Sequence, residues 1–450
     1  MAQTFLLLMS LWFYGYFNPK YLILITFSVA FNYGTYILLC KNRKKIGLYI
    51  GLTVNIALLL YFKYMDFFIA SINRICKTDF NLLHIVLPLG ISFFTFQQIS
   101  FLVDSYKGEV PKYSILHYAS YVTYFPQLIA GPIVTHAELI PQFMDTEKKK
   151  LNWENLAKGI YLFTLGLSKK ILIADTFGKV VDWGYSNYSN LYSAEAIIVI
   201  LAYTFQIYFD FSGYCDMAIG IAKMMNIELP VNFNSPYKAF TITEFWDRWH
   251  ITLTRFFTNY VYIPLGGNRK GAIRTYLNIF IVFFISGFWH GAGINFILWG
   301  ICHGLFSIIT RKFKNFFERL HPALCWMITF SFINLTWVFF RAESCKQALK
   351  IIHRAARLHF ENIPYEAIQC FKILEFELFL EGTPIQNFSP RLEILLTFII
   401  AFLIILGCRN SYEKMNAFKP TITKVCSTAL LLTLCVCSLS GIITFLYWNF

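Results

Sequence analysis

The chain has 450 residues, of which 57% are hydrophobic and 19% aromatic, whereas only 14% are charged. With a mean hydropathy of +0.52, it carries too much apolar surface for a soluble domain, so an integral membrane protein is predicted. The net charge of +14 would suit nucleic acid, but the positive residues lie in short loops between apolar segments. Such charges orient membrane helices and contact anionic lipid, so membrane lipid is the expected partner and nucleic acid is not.

A helix needs roughly 20 apolar residues to cross a hydrocarbon core of about 30 Å. The segments that approach or meet this length are Tyr21–Cys40, Ile46–Phe62, Ile85–Val103, Ala196–Phe209, Tyr276–Phe288, Leu324–Phe340, Ile394–Gly407 and Val425–Tyr447. Ile115–Ile133 and Ile160–Ile173 are shorter or interrupted by Pro126, Gly166 and paired lysines. Broken spans are allowed where irregular backbone is buried or lines a cavity. We expect about ten spans, several of them broken, in a single membrane domain covering residues 1–450.

Polar residues intrude on the apolar sequence around Gln206, Asp210 and Asp216. A buried aspartate must be paired or protonated. Asp210 is therefore predicted either to orient a catalytic histidine or to brace helix ends, and both interpretations stay open. Gln206 and Asp210 are candidate substrate-binding residues.

The spacing of Thr241 and Glu244 is that of a capping box. It predicts a helix that begins near Thr241 and continues through His250 to about Asn259. One face of this helix is largely aromatic and carries Trp246, Trp249, His250, Leu253, Phe256, Phe257 and Tyr260. His250 is then either the polar edge of an aromatic belt or a site residue. Asp247, on the same predicted helix, is a candidate substrate-binding residue.

A glycine-rich turn follows, with Gly266, Gly267 and Asn268 before Arg269 and Lys270. Its glycine spacing fits neither a dinucleotide-binding fingerprint nor a P-loop. The turn is either a cytoplasmic loop with orienting charges or a place where amides and cations bind a phosphorylated ligand. Asn268 and Arg269 are kept as candidate donor-binding residues.

His290 lies in a stretch, Thr275–Thr310, that contains no Asp, Glu, Lys or Arg. An ionisable group at bilayer depth is by default a functional-site hypothesis, so His290 is the first candidate for chemistry, with Trp289 beside it. His303 would lie roughly 20 Å further along if the helix were continuous, which favours a structural role. No metal site is predicted, since no His-Glu-x-x-His or Cys/His ligand spacing occurs.

Several motifs together resemble the membrane-bound O-acyltransferase (MBOAT) family, most closely its bacterial branch of alginate and peptidoglycan O-acetyltransferases. The motifs are Trp246-Asp247-Arg248-Trp249-His250-Ile251-Thr252-Leu253, Tyr262-Ile263-Pro264-Leu265-Gly266-Gly267-Asn268-Arg269, Phe288-Trp289-His290-Gly291 and Leu298-Trp299-Gly300-Ile301-Cys302-His303-Gly304. The resemblance implies an all-α integral membrane protein. It implies a polytopic ring of about 10–11 transmembrane helices, with short re-entrant or interfacial helices around a central tunnel.

The same resemblance implies an O-acyltransferase of the bacterial cytoplasmic membrane. An acyl group, expected to be acetyl, would pass from a cytoplasmic thioester such as acetyl-CoA to an extracytoplasmic acceptor. The product would be an O-acetylated envelope polysaccharide, peptidoglycan or alginate-like. Acetyl-CoA would be a substrate rather than a bound cofactor. A separate extracytoplasmic SGNH-hydrolase-like acetyltransferase would be the partner.

The family's hallmark histidine corresponds to His290 and its second characteristic histidine to His250. His290, kept neutral by apolar surroundings, would act as general base on a hydroxyl. His250 would polarise the thioester carbonyl or position the acceptor, and an acyl-histidine intermediate also stays open. The remaining candidates for substrate binding are Trp289, Asn268, Arg269, Asp247, Gln206 and Asp210.

A transporter or flippase is the alternative from a different class, with Asp210, His250 and His290 as a proton relay in broken helices. Internal symmetry between the two halves of the chain would favour it, and none is evident. A scaffold for a secretion complex is a third hypothesis, but it does not explain His290.

Overall fold

The structure is a computed structural model that describes residues 1–372, 390–441 and 446. Its described part is helical, apart from loops and one isolated antiparallel bridge between Phe233 and Trp249. The first helices are α1 (Ala2–Phe17), α2 (Pro19–Asn42), α3 (Lys45–Cys76), α4 (Ile91–Lys107), α5 (Ile115–Thr123), α6 (Phe125–Leu128), α7 (His136–Met144), α8 (Trp153–Ser168), α9 (Asp175–Ser186) and α10 (Ser193–Met224). The all-α prediction is confirmed.

The later helices include the short pair that carries the Trp246–His250 motif. They are α11 (Ile242–Arg248), α12 (Ile251–Phe257), α13 (Gly271–His290), α14 (Ile294–Lys312), α15 (Lys314–Arg319), α16 (Pro322–Arg341), α17 (Cys345–Ala356), α18 (Tyr365–Gln369), α19 (Pro390–Phe402), α20 (Ser411–Asn416) and α21 (Ile422–Cys437). Three segments are π-helices, in which hydrogen bonds join residues five positions apart. They are Lys169–Ala174, Thr258–Tyr262 and Leu403–Gly407.

Six of the described helices are long and apolar enough to cross a membrane, namely α2, α3, α10, α13, α14 and α16. Shorter apolar helices occupy Leu392–Gly407 and Ile422–Cys437. The multi-pass prediction is confirmed, while the number of about ten spans stays a prediction. The segment predicted at Val425–Tyr447 is helical to Cys437, and much of its end lies outside the described residues.

Two predicted spans have different bounds in the structure. The segment predicted at Ile85–Val103 becomes helical only at Ile91, because Gly90 directly before it has a left-handed φ of 69°. The segment predicted at Ala196–Phe209 continues to Met224 as part of α10. The polar residues that suggested an end are buried within this helix.

The predicted break within Ile160–Ile173 is wrong. Helix α8 continues through the π-helix Lys169–Ala174 into α9, and the paired lysines are the first two residues of that π-helix. Gly166 lies at a close approach of two helices, where an added Cβ would be 2.6 Å from the carbonyl oxygen of Gly213. A π-helix inside an α-helix often marks a functional region. The interruption at Pro126 is confirmed, since α5 ends before it and α6 begins there.

The described residues divide into two compact units. The first unit comprises Met1–Ile160, Ala218–Val231 and Thr252–Pro264, and the second comprises Tyr161–Met217, Asn232–Ile251 and the described residues from Leu265 onward. The prediction of a single membrane domain stays a prediction. His250 and His290 both belong to the second unit.

In the first unit, buried polar side chains join the apolar helices. The Gln98 amide on α4 donates to the Ser28 hydroxyl on α2 at 2.9 Å, and its oxygen accepts from the Tyr118 hydroxyl on α5 at 3.1 Å. Asn32 and Asn55 pair between α2 and α3 at 2.6 Å. Each of these five side chains thus has a partner on another helix, which stabilises helix packing in an apolar setting.

In the second unit, α13 and α14 form an antiparallel hairpin with His290 at its tip. The two helices approach closely at Gly287 and Gly300, where an added Cβ on Gly287 would lie 2.5 Å from the carbonyl oxygen of Phe296. Asn295 then fixes the tip to the end of α16, because its amide donates to the carbonyl oxygen of Ala342 at 2.7 Å. Small residues at the crossing therefore determine where the hairpin holds His290.

Candidate active site

His290 is the last residue of α13, and the chain turns back directly after it. Gly291 and Gly293 have extended backbones and α14 begins at Ile294. The stretch Thr275–Thr310 is therefore not one continuous helix. The predicted distance between His290 and His303 had required a continuous helix. The turn leaves the imidazole at the end of a helix, where small neighbours allow close approach of other groups.

His290 is buried among aromatic rings, with only 3% of its surface exposed. Its ring centroid lies 4.8 Å from that of Trp289, 5.1 Å from that of Trp299 and 5.0 Å from that of Phe340. All three pairs are close to perpendicular. Three aromatic rings thus form the immediate surroundings of the imidazole.

His303 contacts the same indole. It lies one helical turn after Trp299 on α14, with ring centroids 4.6 Å apart, and the turn after His290 brings Trp299 itself to His290. The estimate of 20 Å from His290 is therefore wrong, since it required a continuous helix. Both nitrogens of His303 face polar atoms: Nδ1 accepts from the indole N–H of Trp246 at 3.3 Å, and Nε2 lies 3.0 Å from the Thr336 hydroxyl. These contacts join α11, α14 and α16, as a structural role requires.

His250 interrupts the helix predicted across it. The Thr241 side chain caps α11 as predicted by accepting from Glu244 N, but α11 ends at Arg248 and α12 begins at Ile251. His250 lies between them with a φ of +46°, a left-handed conformation that is uncommon for a residue with a side chain. The helix predicted from Thr241 to Asn259 is therefore wrong at its centre.

A hydrogen-bonded segment holds this strained residue from the opposite side. The amide of Ile251 donates to the carbonyl oxygen of Asn232 at 3.0 Å, and the amide of Asn234 donates to that of Arg248 at 2.9 Å. Phe233 forms the antiparallel bridge with Trp249 between these bonds. These contacts thus hold the backbone of His250 in its strained conformation, which persists only where the surrounding structure fixes it.

The His250 side chain is fully buried. Its ring lies perpendicular to that of Phe211, at 4.9 Å between centroids, and its Nδ1 lies 3.1 Å from Oδ1 of Asn232. Burial lowers the pKa of His250 to about 3, so the imidazole is neutral at physiological pH. Sequence analysis missed Asn232, because no motif connects it with a histidine so far along the chain.

A chain of indole rings joins the two candidate histidines. Trp249, next to His250, lies 5.0 Å from Trp337, and Trp337 lies 5.9 Å from Trp299, which contacts His290. We call these three tryptophans, with His250 and His290, the aromatic cluster. The structure therefore brings the two predicted catalytic residues into one buried region of the second unit.

Asp210 pairs with a lysine of the π-helix. Its Oδ1 lies 2.7 Å from Nζ of Lys170, which also lies 2.7 Å from Asp175 Oδ1. The other oxygen of Asp210 accepts from the amide of Leu446 at 3.1 Å. These contacts favour the helix-bracing interpretation of Asp210 over the proton-relay interpretation. Gln206, one turn earlier on α10, is buried as well.

Asp216 pairs in the same way with Lys169, the residue before Lys170. Its carboxylate lies 2.6 Å from Nζ of Lys169. The two lysines that open the π-helix therefore meet two carboxylates on α10, close to the approach of Gly166 and Gly213. The π-helix provides the spacing that lets consecutive lysines reach separate partners.

The basic turn before α13 is exposed and held by its own backbone. Gly266 and Gly267 have positive φ values of 106° and 56°, which glycine adopts without a Cβ penalty. The amide of Asn278 donates to the carbonyl oxygen of Gly267 at 2.8 Å. Asn268 and Arg269 are exposed and can meet a ligand from outside the protein.

The basic turn is far from His290. Helix α13 runs from Gly271 to His290, which at 1.5 Å per residue is about 28 Å. Asn268 and Arg269 therefore cannot touch the groups that react at His290. A donor bound at the turn would have to span this length with an extended arm. Asp247 is likewise exposed, whereas Trp289 lies in the aromatic surroundings of His290.

The fold and the site define a class: a multi-pass, all-α membrane protein with two buried histidines in an aromatic cluster. The chain belongs to the MBOAT, membrane-bound O-acyltransferase family, whose profile matches residues 6–346. The resemblance drawn from the motifs is thereby confirmed. The protein is accordingly a membrane acyltransferase.

Individual relatives narrow the comparison. The chain is similar to the peptidoglycan O-acetyltransferase of Helicobacter pylori, with 46% identity over 78% of this chain and 73% of the relative. It is 39% identical to the probable alginate O-acetylase AlgI of Pseudomonas aeruginosa, over 77% of this chain and 68% of the relative. A teichoic acid D-alanyltransferase of Bacillus subtilis is 26% identical over 53% of this chain and 62% of the relative.

Proposed function

We propose that this protein passes an acetyl group from cytoplasmic acetyl-CoA across the bacterial inner membrane, for O-acetylation of a cell-envelope polysaccharide. The names of the relatives support acetyl transfer to peptidoglycan or alginate, since both are extracytoplasmic polymers. The observation that carries the proposal is the aromatic cluster, which holds His250 and His290 in one buried region. A buried neutral imidazole is suited to general-base chemistry near neutral pH.

The transfer needs one proton acceptor and one route for the leaving group. His290 takes the proton of the acceptor hydroxyl while that oxygen attacks the thioester carbonyl carbon. The carbon–sulfur bond then breaks, and the proton on the imidazolium goes to the thiolate that leaves. His250 either polarises the carbonyl or positions the acceptor. If the imidazole attacks the carbonyl itself, the same two residues support an acyl-histidine route.

The charges on the α13–α14 hairpin support the direction of transfer. Arg269 and Lys270 precede α13, and Arg311 and Lys312 end α14, so both pairs lie at the end opposite His290. Basic residues near the ends of spans favour the cytoplasm. A donor that enters at this basic end would deliver its acyl group towards His290 in the outer half of the membrane.

A separate extracytoplasmic acetyltransferase of the SGNH-hydrolase type is the proposed partner. It would accept the acetyl group from this protein and place it on the polysaccharide. The proposal follows from the resemblance, because the relatives act on polymers outside the cytoplasmic membrane.

Inside-out membrane vesicles from the native host test the proposal, since their outer surface is the cytoplasmic face. Acetyl-CoA labelled in the acetyl group is added outside, and base-labile label on lumenal polysaccharide is measured. Vesicles with the protein are expected to label the lumenal polymer, and vesicles without it are not. Equal labelling in both preparations would refute acetyl transfer by this protein.

Replacing Arg269 and Lys270 by alanine should raise the KM for acetyl-CoA by about 10- to 100-fold, because charge-assisted contacts to donor phosphates are lost. Folding should change little, since both side chains are exposed. The matched control is alanine at Lys44 and Lys45, another exposed basic pair. An unchanged KM in the first variant would show that the turn only orients the helix.

A further inference from the structure

We infer that Asn232 is a positioning residue that holds His250 as the tautomer with its proton on Nδ1, so that Nε2 carries the lone pair. The inference rests on the proposed function for its catalytic meaning. It assigns one chemical role to His250 where two were open. Asn232 itself is buried, with 1% of its surface exposed.

The contact between the two side chains determines which atom donates. Nδ1 of His250 lies 3.1 Å from Oδ1 of Asn232. An amide oxygen can only accept, so the imidazole must supply the proton. In a neutral imidazole, the nitrogen that makes this donor contact is the protonated one, and the other nitrogen is the acceptor.

Cys215 contacts the other end of the Asn232 amide. The amide nitrogen of Asn232 donates to Sγ of Cys215, on α10, at 3.3 Å. The Asn232 oxygen is thereby directed to His250. In the opposite orientation the amide would donate to Nδ1, and the His250 proton would move to Nε2. With the Asn232 oxygen facing His250, as in the structure, the neutral imidazole carries its proton on Nδ1.

The backbone keeps this arrangement from relaxing. Asn232 accepts from the Ile251 amide through its own carbonyl oxygen at 3.0 Å, so main chain and side chain both hold the His250 segment. The bridge between Phe233 and Trp249 follows directly. The backbones of Asn232 and His250 are thus held next to each other by main-chain hydrogen bonds as well as by the side-chain contact.

The tautomer excludes one of the two proposed roles. A neutral imidazole protonated on Nδ1 has no proton on Nε2 to donate to a thioester carbonyl, so His250 cannot polarise it through that atom. Nε2 can accept a hydrogen bond from a hydroxyl. His250 would then orient the acceptor hydroxyl, and His290 would take its proton, so the two histidines divide binding and base chemistry.

Histidine labelled with ¹⁵N only at Nδ1 reports the tautomer directly in the full-length protein. Protonated and unprotonated ring nitrogens have well-separated ¹⁵N shifts in solid-state spectra, and the His250 signal is the one lost in H250Q. We expect a protonated-type Nδ1 signal in the wild type and in N232D, whose carboxylate still accepts. N232L removes the acceptor, so the signal should move towards the unprotonated type.

A control two residues away separates this effect from general disturbance. N234L alters an exposed asparagine and should leave the His250 signal unchanged. An unprotonated-type Nδ1 signal in the wild type would overturn the inference, as would a signal that N232L does not shift. If N232L fails to fold, the wild-type spectrum still decides, because it reports the proton on Nδ1 without any substitution.

Activity provides an independent readout. Loss of the correct tautomer should lower acyl transfer in N232L by about 10-fold, no more than H250N does, because one hydrogen bond to the acceptor hydroxyl is lost, and N232D should retain more activity than N232L. Equal activity of the two variants would refute the positioning role. If H250Q itself transfers acyl groups normally, the proposed role of His250 fails, whereas the spectrum still tests the link between Asn232 and His250.

Discussion

Replacing His290 by asparagine should lower acyl transfer by about 10²- to 10⁴-fold, the usual contribution of a general base. The asparagine amide can make a hydrogen bond but cannot take the hydroxyl proton. The measurement is acyl release from labelled acetyl-CoA by detergent-purified protein in the presence of its acceptor partner. H250N should impair transfer less, because His250 orients a group rather than removing its proton.

H303N is the matched control, since His303 is also buried and contacts Trp299. Its two polar contacts join three helices, so this variant should unfold at a lower temperature. The folded fraction should nevertheless retain its turnover. Near-normal turnover in well-folded H290N would contradict the catalytic assignment and leave His290 with a packing role.

Sequence reasoning succeeded where the information is local. The spans at α2, α13 and α16 follow from apolar length alone, because a helix that crosses a bilayer needs a continuous apolar run. His290 was selected as a candidate by equally local reasoning, since it is an ionisable side chain within a charge-free stretch, and its catalytic role stays a prediction. Helix α13 ends at the hairpin tip, where the small residues around His290 permit a turn.

The break at His250 was not predictable in the same way. Local spacing favours a helix through Trp249 and His250, and a positive φ at a residue with a side chain has no sequence signal. Partners distant in sequence impose it: Asn232 through its carbonyl oxygen, and Phe233 through its bridge. At His250, tertiary contacts therefore prevail over the local sequence pattern, which favours a helix.

The paired lysines show the same limitation. Lys169 and Lys170 look like an interruption of an apolar segment, because charged residues are costly at bilayer depth. Their partners, Asp216 and Asp210, lie beyond α9 and one loop, on α10, and looked like an end of that helix. Each lysine–aspartate pair compensates a buried charge on both helices, so neither helix has to end at these residues. The two wrong predictions therefore have the same cause.

Replacing Lys170 by methionine should destabilise the folded protein by about 3–5 kcal/mol, because one change leaves two buried carboxylates without their cation. Asp210 and Asp175 both lie 2.7 Å from its Nζ, and all three side chains are largely buried. Denaturant titration of the protein in detergent measures the loss. Asparagine at both aspartates, added to K170M, should restore most of it, since no charge is then left buried.

The matched control is K150M, which removes an exposed lysine paired with Glu147 at 2.6 Å. An exposed pair contributes about 0–1 kcal/mol, because water and salt screen it, so K150M should unfold nearly as the wild type does. If K170M is no less stable than K150M, the pairing of the π-helix with α10 does not brace the fold. Asp210 would then again be a candidate for the proton relay, and asparagine at both aspartates would restore no stability.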